Sequence, residues 1–490
     1  MKLNNKHNTE KNNEEDVNIN SSKSTRWNEF KKSVLEFWKE FSSVGYGLVG
    51  LFLFFVFVFL IIAEPYIVPF PEVNQRWGDV SYWENNPRTA APVWTNWFGE
   101  YKAEHQFIRE TNLEVKDLER MKIIKGSFNY NYDYDVPPQD LVFKATGQGN
   151  LNITMKVERP DGKIIELAKR SIRSSGKRTV SLSLGNEGAR RLYRFAEKYE
   201  SEKNLSRYSD DNVKSMNVLF GEASEGILRH PEPLIGEYKI NYSIAAVGPD
   251  AEVEAPYIIV SGQVFGLFGT DTSKRDIWSG VIAGVKWAML LGLLVSSISV
   301  SIGAVYGITA SYFGGRIDTV MMRIFEVFRG IPMLPVLIVL SAIFSPSIWL
   351  LVFMMCALYW RGPVLTIRSM GLQIREETYI EAAHALDATN TRIIFKHMLP
   401  QVIPVCFASM ALRVPMAIII EASVSLLGLG DSTIVTWGQL LHGAMNGGAV
   451  LQGLWWWVIP PGIFIATMGM TFAFIGTAMD KILNPKLKTR

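Results

Sequence analysis

The chain is 490 residues long, 48% hydrophobic and 20% charged, with a formal net charge of +3, six His and two Cys. This length exceeds one compact domain, and the positive mean hydropathy points to a mixture of membrane and water-facing parts. The charge is too small and too dispersed to point to nucleic acid, and Cys356 and Cys406, both inside apolar runs, offer neither a disulfide framework nor a metal site.

Residues 1–24 are rich in Lys, Asn, Glu and Ser, too polar to offset the entropy of ordering, and read as a disordered tail. Trp27, Phe30, Val34, Trp38 and Phe41 then recur at helical period, either as an amphipathic helix lying on a membrane or as a lead-in to a span; the segment closes at residue 43. Residues 44–63 (Val44–Ala63) carry no charge, and 20 helical residues cross a hydrocarbon core. The long polar stretch before this run argues against a cleaved signal and for a retained anchor.

Residues 64–276 are polar and numerous enough to own a core. Leu151, Ile153, Met155 and Val157 alternate with polar residues, Pro160, Asp161 and Gly162 make a turn, and Ile165 and Leu167 resume the alternation. Val180, Leu182 and Leu184 follow the same period, as do Tyr238, Ile240, Tyr242 and Ile244, whereas Leu192, Phe195 and Tyr199 predict a helix over 186–205. A mostly β, sandwich-like domain with a helical insertion is expected. It carries sequons at Asn152, Asn204 and Asn241, whose glycosylation would require a competent host.

Uncharged runs of 29, 31 and 37 residues follow, at Trp287–Gly315, Gly330–Trp360 and Gly443–Met479. Arg316, Arg323 and Arg329 precede the middle run and Arg361, Arg368 and Arg375 follow it. Both flanks therefore belong in the cytoplasm, and the run is a hairpin of two spans turning at Ser345, Pro346 and Ser347. A fifth span is predicted over 402–427 and a sixth over 454–479. Arg26, Lys31, Lys32 and Lys39 before the first span and Lys481, Lys486, Lys488 and Arg490 at the end put both termini in the cytoplasm and residues 64–276 outside.

Between the fourth and fifth spans lies EAAHALDATNTRIIFKHMLP, Glu381–Pro400, a charged stretch between apolar runs. On charge pattern alone it is a solvated interfacial helix. Within the fifth span Arg413 and Glu421 stand about 80° apart around the helix; they either line a substrate path or anchor the helix at an interface. Trp455, Trp456 and Trp457 fit an interfacial aromatic belt.

Glu381, Ala382, Ala383, Leu399 and Pro400 resemble the cytoplasmic EAA loop of membrane subunits of ATP-binding-cassette importers, with Asp387 where that pattern has Gly and His397 where it has Ile. The likeness extends to Phe268-Gly269-Thr270-Asp271 with Arg275-Asp276, to Tyr312-Phe313-Gly314-Gly315 with Asp318 and Arg323, and to Glu421–Gly430 (EASVSLLGLG). Trp437-Gly438 and Asn484-Pro485 complete it, and in this order the motifs resemble permeases of the dipeptide, oligopeptide and nickel import family. The stretch from Glu64 to Val264 is not covered, since such subunits have a much shorter external loop.

The resemblance implies an α-helical membrane protein with six spans of the type I importer kind and the mostly β domain inserted between the first and second. Residues 277–480 would form the five-helix permease core, with the EAA loop at 376–400, and 481–490 a cytoplasmic tail. It implies half of a translocation pathway for peptides or related solutes in a plasma membrane. Glu381, Ala382, Ala383, Asp387, Leu399 and Pro400 would couple the chain to ATPases; Asp at 387 tolerates the positive-φ turn that Gly would permit. The implied partners are a second homologous permease, two ATPase subunits, an external substrate-binding protein and membrane lipid. The external domain would dock the binding protein, cover the pore or be a structural insertion. No Walker A loop is present, since Gly176-Lys177 is followed by Arg178 and Ser171 stands where the first Gly belongs. ATP and magnesium are therefore expected on the partner ATPases, with no cofactor, metal or catalytic residue on this chain. A membrane-anchored receptor and a secondary carrier are the other function classes such a chain admits.

Overall fold

The computed structural model describes residue 32 and residues 35–109, 113–118, 121–205, 208, 213–344 and 346–483. The tail reading, Trp27, Phe30, Val34, Ser345, Asn484-Pro485 and the last basic residues lie outside them.

Helix α1, Gly45–Ile67, is apolar on all sides and runs against the last helix. Two small residues allow the approach: a Cβ at Gly47 would lie 2.7 Å from the Ala478 Cβ, and one at Gly50 2.9 Å from the Phe474 Cβ and the Thr471 carbonyl. Without a hydrophobic drive between helices in lipid, such close backbone packing is what holds two spans together.

The β region comprises β1 Gln106–Arg109, β2 Glu114–Leu118, β3 Met121–Tyr132, β4 Asp140–Glu158, β5 Ile164–Leu182, β6 Gly236–Val253 and β7 Tyr257–Ser261. All pairings are antiparallel and all strands belong to one sheet, in the order β1-β7-β4-β6-β3-β2 with β5 on the other edge of β4. Two layers arise because this single sheet doubles over. Met155 is registered against Tyr242, yet the Phe143 ring, 155 − 143 = 12 residues earlier on the same strand, lies 5.3 Å from the Tyr242 ring. A straight strand would separate them by about 40 Å. The fold sits where the register slips between Gln148 and Asn150, beside Gly149 and Gly248, both at positive φ. Phe128, Tyr130, Tyr132, Phe143, Tyr238 and Ile240 fill the resulting core.

The insertion holds α2, Gly185–Ala196, and α3, Ser215–Phe220. α2 ends before the predicted Tyr199, whose ring packs on Phe195 and beneath the Lys163 ammonium instead. Arg159, fully buried next to the predicted hairpin turn, donates to the Val218, Leu219 and Gly221 carbonyls at the end of α3 and to Asp161. A buried cation at a helix C-terminus is paired with the negative end of the dipole as well as with Asp161.

The membrane part follows. Helix α4, Ile277–Phe313, has 37 residues, starting ten residues before the predicted span. At 1.5 Å per residue it is about 55 Å long, roughly 25 Å more than a hydrocarbon core. α5, Gly315–Gly330, and α6, Met333–Ile343, meet at a 74° bend, where Arg361 donates to the Phe328 and Ile331 carbonyls. α7, Ile348–Tyr359, and α8, Val364–Arg375, follow; the interruption between Ile343 and Ile348 lies at the predicted turn. After α9, Thr378–Ala385, come α10, Leu399–Leu426, α11, Trp437–Asn446, and α12, Trp455–Leu483. Among the described residues five helices are long and apolar enough to cross a membrane, and six if the bent pair counts as one.

Sheet and helices meet at the predicted Gly-Thr-Asp segment. Thr270 accepts from the Ala90 amide at 2.9 Å and donates to the Pro87 carbonyl at 2.8 Å, while a Cβ at Gly269 would lie 2.3 Å from the Ala90 carbonyl. Asp271 accepts from Arg275, whose guanidinium lies 4.7 Å over Trp77. Burial pushes the Asp271 carboxyl up, while Arg275 and the backbone amides of Arg275 and Ser273 pull it down. Asp276 caps α4 by accepting from the Ser279 amide at 2.9 Å.

Candidate functional site

The segment 376–400 folds as a short helix, a sharp turn and the start of the long helix α10. α9 buries Ile380 and Ala383 against Ile308, Tyr312, Ile367, Ile393, Met398 and Val402. Glu381, Ala382, Leu386 and Asp387 face outward, and Leu386 is 84% exposed. The small side chain of Ala383 is what brings α9 down onto α4 and α8.

The turn after α9 is held by two bonds that run back along the helix. The Ala388 amide donates to the Ala383 carbonyl at 3.1 Å, and the Asp387 amide to the His384 carbonyl at 2.9 Å. This is a Schellman motif, whose residue after the cap must be left-handed; Asp387 has φ +57°. The turn that Gly would allow thus persists with Asp in its place.

Thr389 then caps the next helix, accepting from the Arg392 amide at 3.4 Å. Residues Ile393–Met398 are π-helical before α10 begins. Pro400 and Pro404 explain the wide turn: neither has the N–H for an α-helical bond, and the Pro400 ring crowds the carbonyl of Lys396. Leu399 is half-buried and Pro400 exposed.

Several contacts fasten this segment to the end of α4. The Tyr312 hydroxyl donates to Asn390 Oδ1 at 2.7 Å, and its ring stacks on His384, 5.8 Å between centroids and 7° from parallel. Arg375 donates to the Ser311 carbonyl at 3.3 Å beside Gly314, which has φ +60°. Asp318 on α5 accepts from Arg368 Nε on α8 at 2.7 Å. These contacts tie the ends of α4, α5 and α8 to the segment around α9, which leaves Glu381 and Leu386 exposed. The Tyr312 links were hidden in sequence, because Asn390 lies 78 residues away.

Arg413 and Glu421 are not brought together. Glu421 is 5% exposed and accepts from the Ser425 hydroxyl at 2.7 Å, in the contact between α10 and α11, where Gly438 packs on Ala422 and Ser425. Arg413 lines a cavity of about 480 Å³ with Tyr359, Arg361, Gly362, Met333 and Met416. Neither Tyr359 nor Gly362 was singled out from sequence, since neither belongs to a recognisable spacing.

Residues 276–489 match the family of binding-protein-dependent transport system inner membrane components. Over 222 residues, 45% of this chain and 69% of the relative, it is 34% identical to the dipeptide transport system permease protein DppC of Bacillus subtilis. The oligopeptide transport system permease protein OppC of Haemophilus influenzae is 32% identical over 223 residues, 45% of this chain and 71% of the relative. The probable D,D-dipeptide transport system permease protein DdpC of Escherichia coli is 30% identical over 220 residues, 45% and 73% respectively.

Proposed function

Because the chain belongs to the binding-protein-dependent transport inner-membrane family, we propose that it forms half of the translocation pathway of an ATP-binding-cassette importer for peptides or related small solutes. Coupling runs through Glu381, Ala382, Ala383, Asp387, Leu399 and Pro400. The observation that carries this reading is the exposed Glu381 and Leu386 face on a helix whose other side is fastened to α4 by Tyr312. Force applied by an ATPase to α9 passes to a helix about 55 Å long, and so to the opposite side of the membrane.

The working assembly has a second, related permease, two ATPase subunits that hold ATP and magnesium, and an external substrate-binding protein. Six crossings, with the bent α5–α6 pair as one span, leave both termini in the cytoplasm and the β domain outside. The arginines of α5 and α8, Arg316, Arg323, Arg329, Arg368 and Arg375, support that orientation. On this reading the β domain, joined to the neck of α4 at Gly269–Asp276, receives the binding protein.

Glu381→Arg tests the coupling role. The variant is expected to insert and fold, because Glu381 is exposed, yet to lose the stimulation of ATPase activity by loaded binding protein in the reconstituted complex. Full stimulation in that variant would sink the assignment.

A further inference from the structure

Arg413 stands 413 − 399 = 14 residues from one end of α10 and 426 − 413 = 13 from the other, about 20 Å from each. A guanidinium at mid-depth in an apolar helix does not face lipid; it faces a cavity, water or another subunit. Among the described residues no carboxylate pairs with it, and its Nε is buried without a hydrogen-bond partner. Glu421, the carboxylate of α10, is occupied elsewhere with Ser425.

The cavity around it is built for an anion. Gly362 supplies the floor: a Cβ there would lie 1.8 Å from the Arg413 Nη1, so the guanidinium rests on bare backbone. The Tyr359 hydroxyl on the same wall is buried and also unpartnered. Arg361 donates through its Nη1 to the carbonyls of the α5–α6 bend, and the Ser423 hydroxyl donates to the Ile419 carbonyl. The Arg413 Nε and the Tyr359 hydroxyl are thus the unpartnered donors here among the described residues, and the remaining walls are Met333, Leu334, Met416, Ile419 and Ile420. Guanidinium and phenol together match a carboxylate, and the apolar walls match a hydrocarbon body behind it.

Resting on the importer reading above, we propose that this cavity is a carboxylate-recognition site in the translocation path, taking the anionic end of a solute with an apolar body as it passes.

The test uses the complete transporter, with ATPases, second permease and binding protein, in proteoliposomes. Two apolar peptides that differ only in a C-terminal carboxylate or amide are offered at concentrations that saturate the binding protein, and the ratio of uptake rates is read. The native complex is expected to move the free acid about tenfold faster than the amide, the worth of one charge-assisted hydrogen bond. Arg413→Gln brings the ratio to about one. Gly362→Ala, which keeps the charge and displaces the guanidinium, lowers the ratio as well. A ratio unchanged by both substitutions, with rates intact or equally reduced, overturns the site. So does loss of the second permease from the purified Arg413→Gln complex, which would make Arg413 an inter-subunit ion-pair partner. A native complex that moves neither peptide sinks the peptide-importer reading, and is told apart from failure of the site by the native control alone.

Discussion

Asp387 permits a prediction in which the sign reverses with the side chain. Its φ of +57° is imposed by the Schellman bonds from the Asp387 and Ala388 amides. A left-handed residue costs about 1–2 kcal/mol with an ordinary side chain, and Asp lies at the low end because it bonds locally. Asp387→Gly removes that strain but adds about 0.5–1 kcal/mol of chain entropy in the open state, for a net gain of about 0.5 kcal/mol. Asp387→Val, β-branched and so at the high end of that range, loses about 1 kcal/mol relative to Asp. Amide hydrogen exchange at Asp387 and Ala388 reports opening of this turn. The amides of the Gly variant should exchange up to about twofold more slowly, and those of the Val variant about fivefold faster. Faster exchange with Gly than with Asp would refute the argument, because the turn would then be held by the Asp side chain and not by its backbone.

Gly50→Leu should insert but separate α1 from α12, since a Cβ already meets the Phe474 Cβ and the Thr471 carbonyl at 2.9 Å; a loss of about 1–3 kcal/mol, read as a lower unfolding midpoint in detergent, is expected. His105 supplies a pH dependence in the β domain. Burial and the nearby Lys274 push its pKa down to about 4, so the unfolded chain binds more protons between that value and the ordinary His pKa of about 6.5. Stability is therefore full above about pH 6.5 and declines as pH falls toward 4. Unfolding midpoints measured across this range should flatten in His105→Leu, whose side chain still packs between Phe107 and Phe265; an unchanged slope would count against a buried neutral His105.

Much of the membrane part was legible because hydrocarbon imposes a simple rule. A span must be apolar for about 20 residues and its flanks are marked by Arg and Lys, which is why the hairpin within Gly330–Trp360 could be divided at the position where α6 ends and α7 begins. The left-handed turn at 387 was legible for a local reason, since Asp is among the few residues that accept it. The sandwich-like expectation for the β region followed from alternation, which reports buried faces but not how many sheets carry them. Here one sheet carries both, because Gly149 and Gly248 let β4 and β6 double over.

What the sequence determined by itself was therefore local or composition-driven: the apolar runs, the hairpin at Pro160-Asp161-Gly162, the basic flanks and the order of motifs that marks the family. What only the tertiary structure decided are the pairings between distant residues. Tyr312 fastens Asn390 and His384, Thr270 joins Pro87 and Ala90 to the neck of α4, and Arg413 and Glu421, near neighbours in sequence, turn to different partners. The physical reason is that periodicity determines which face of a helix is buried, whereas the partner on that face depends on how every other helix packs, and no residue spacing along the chain records it.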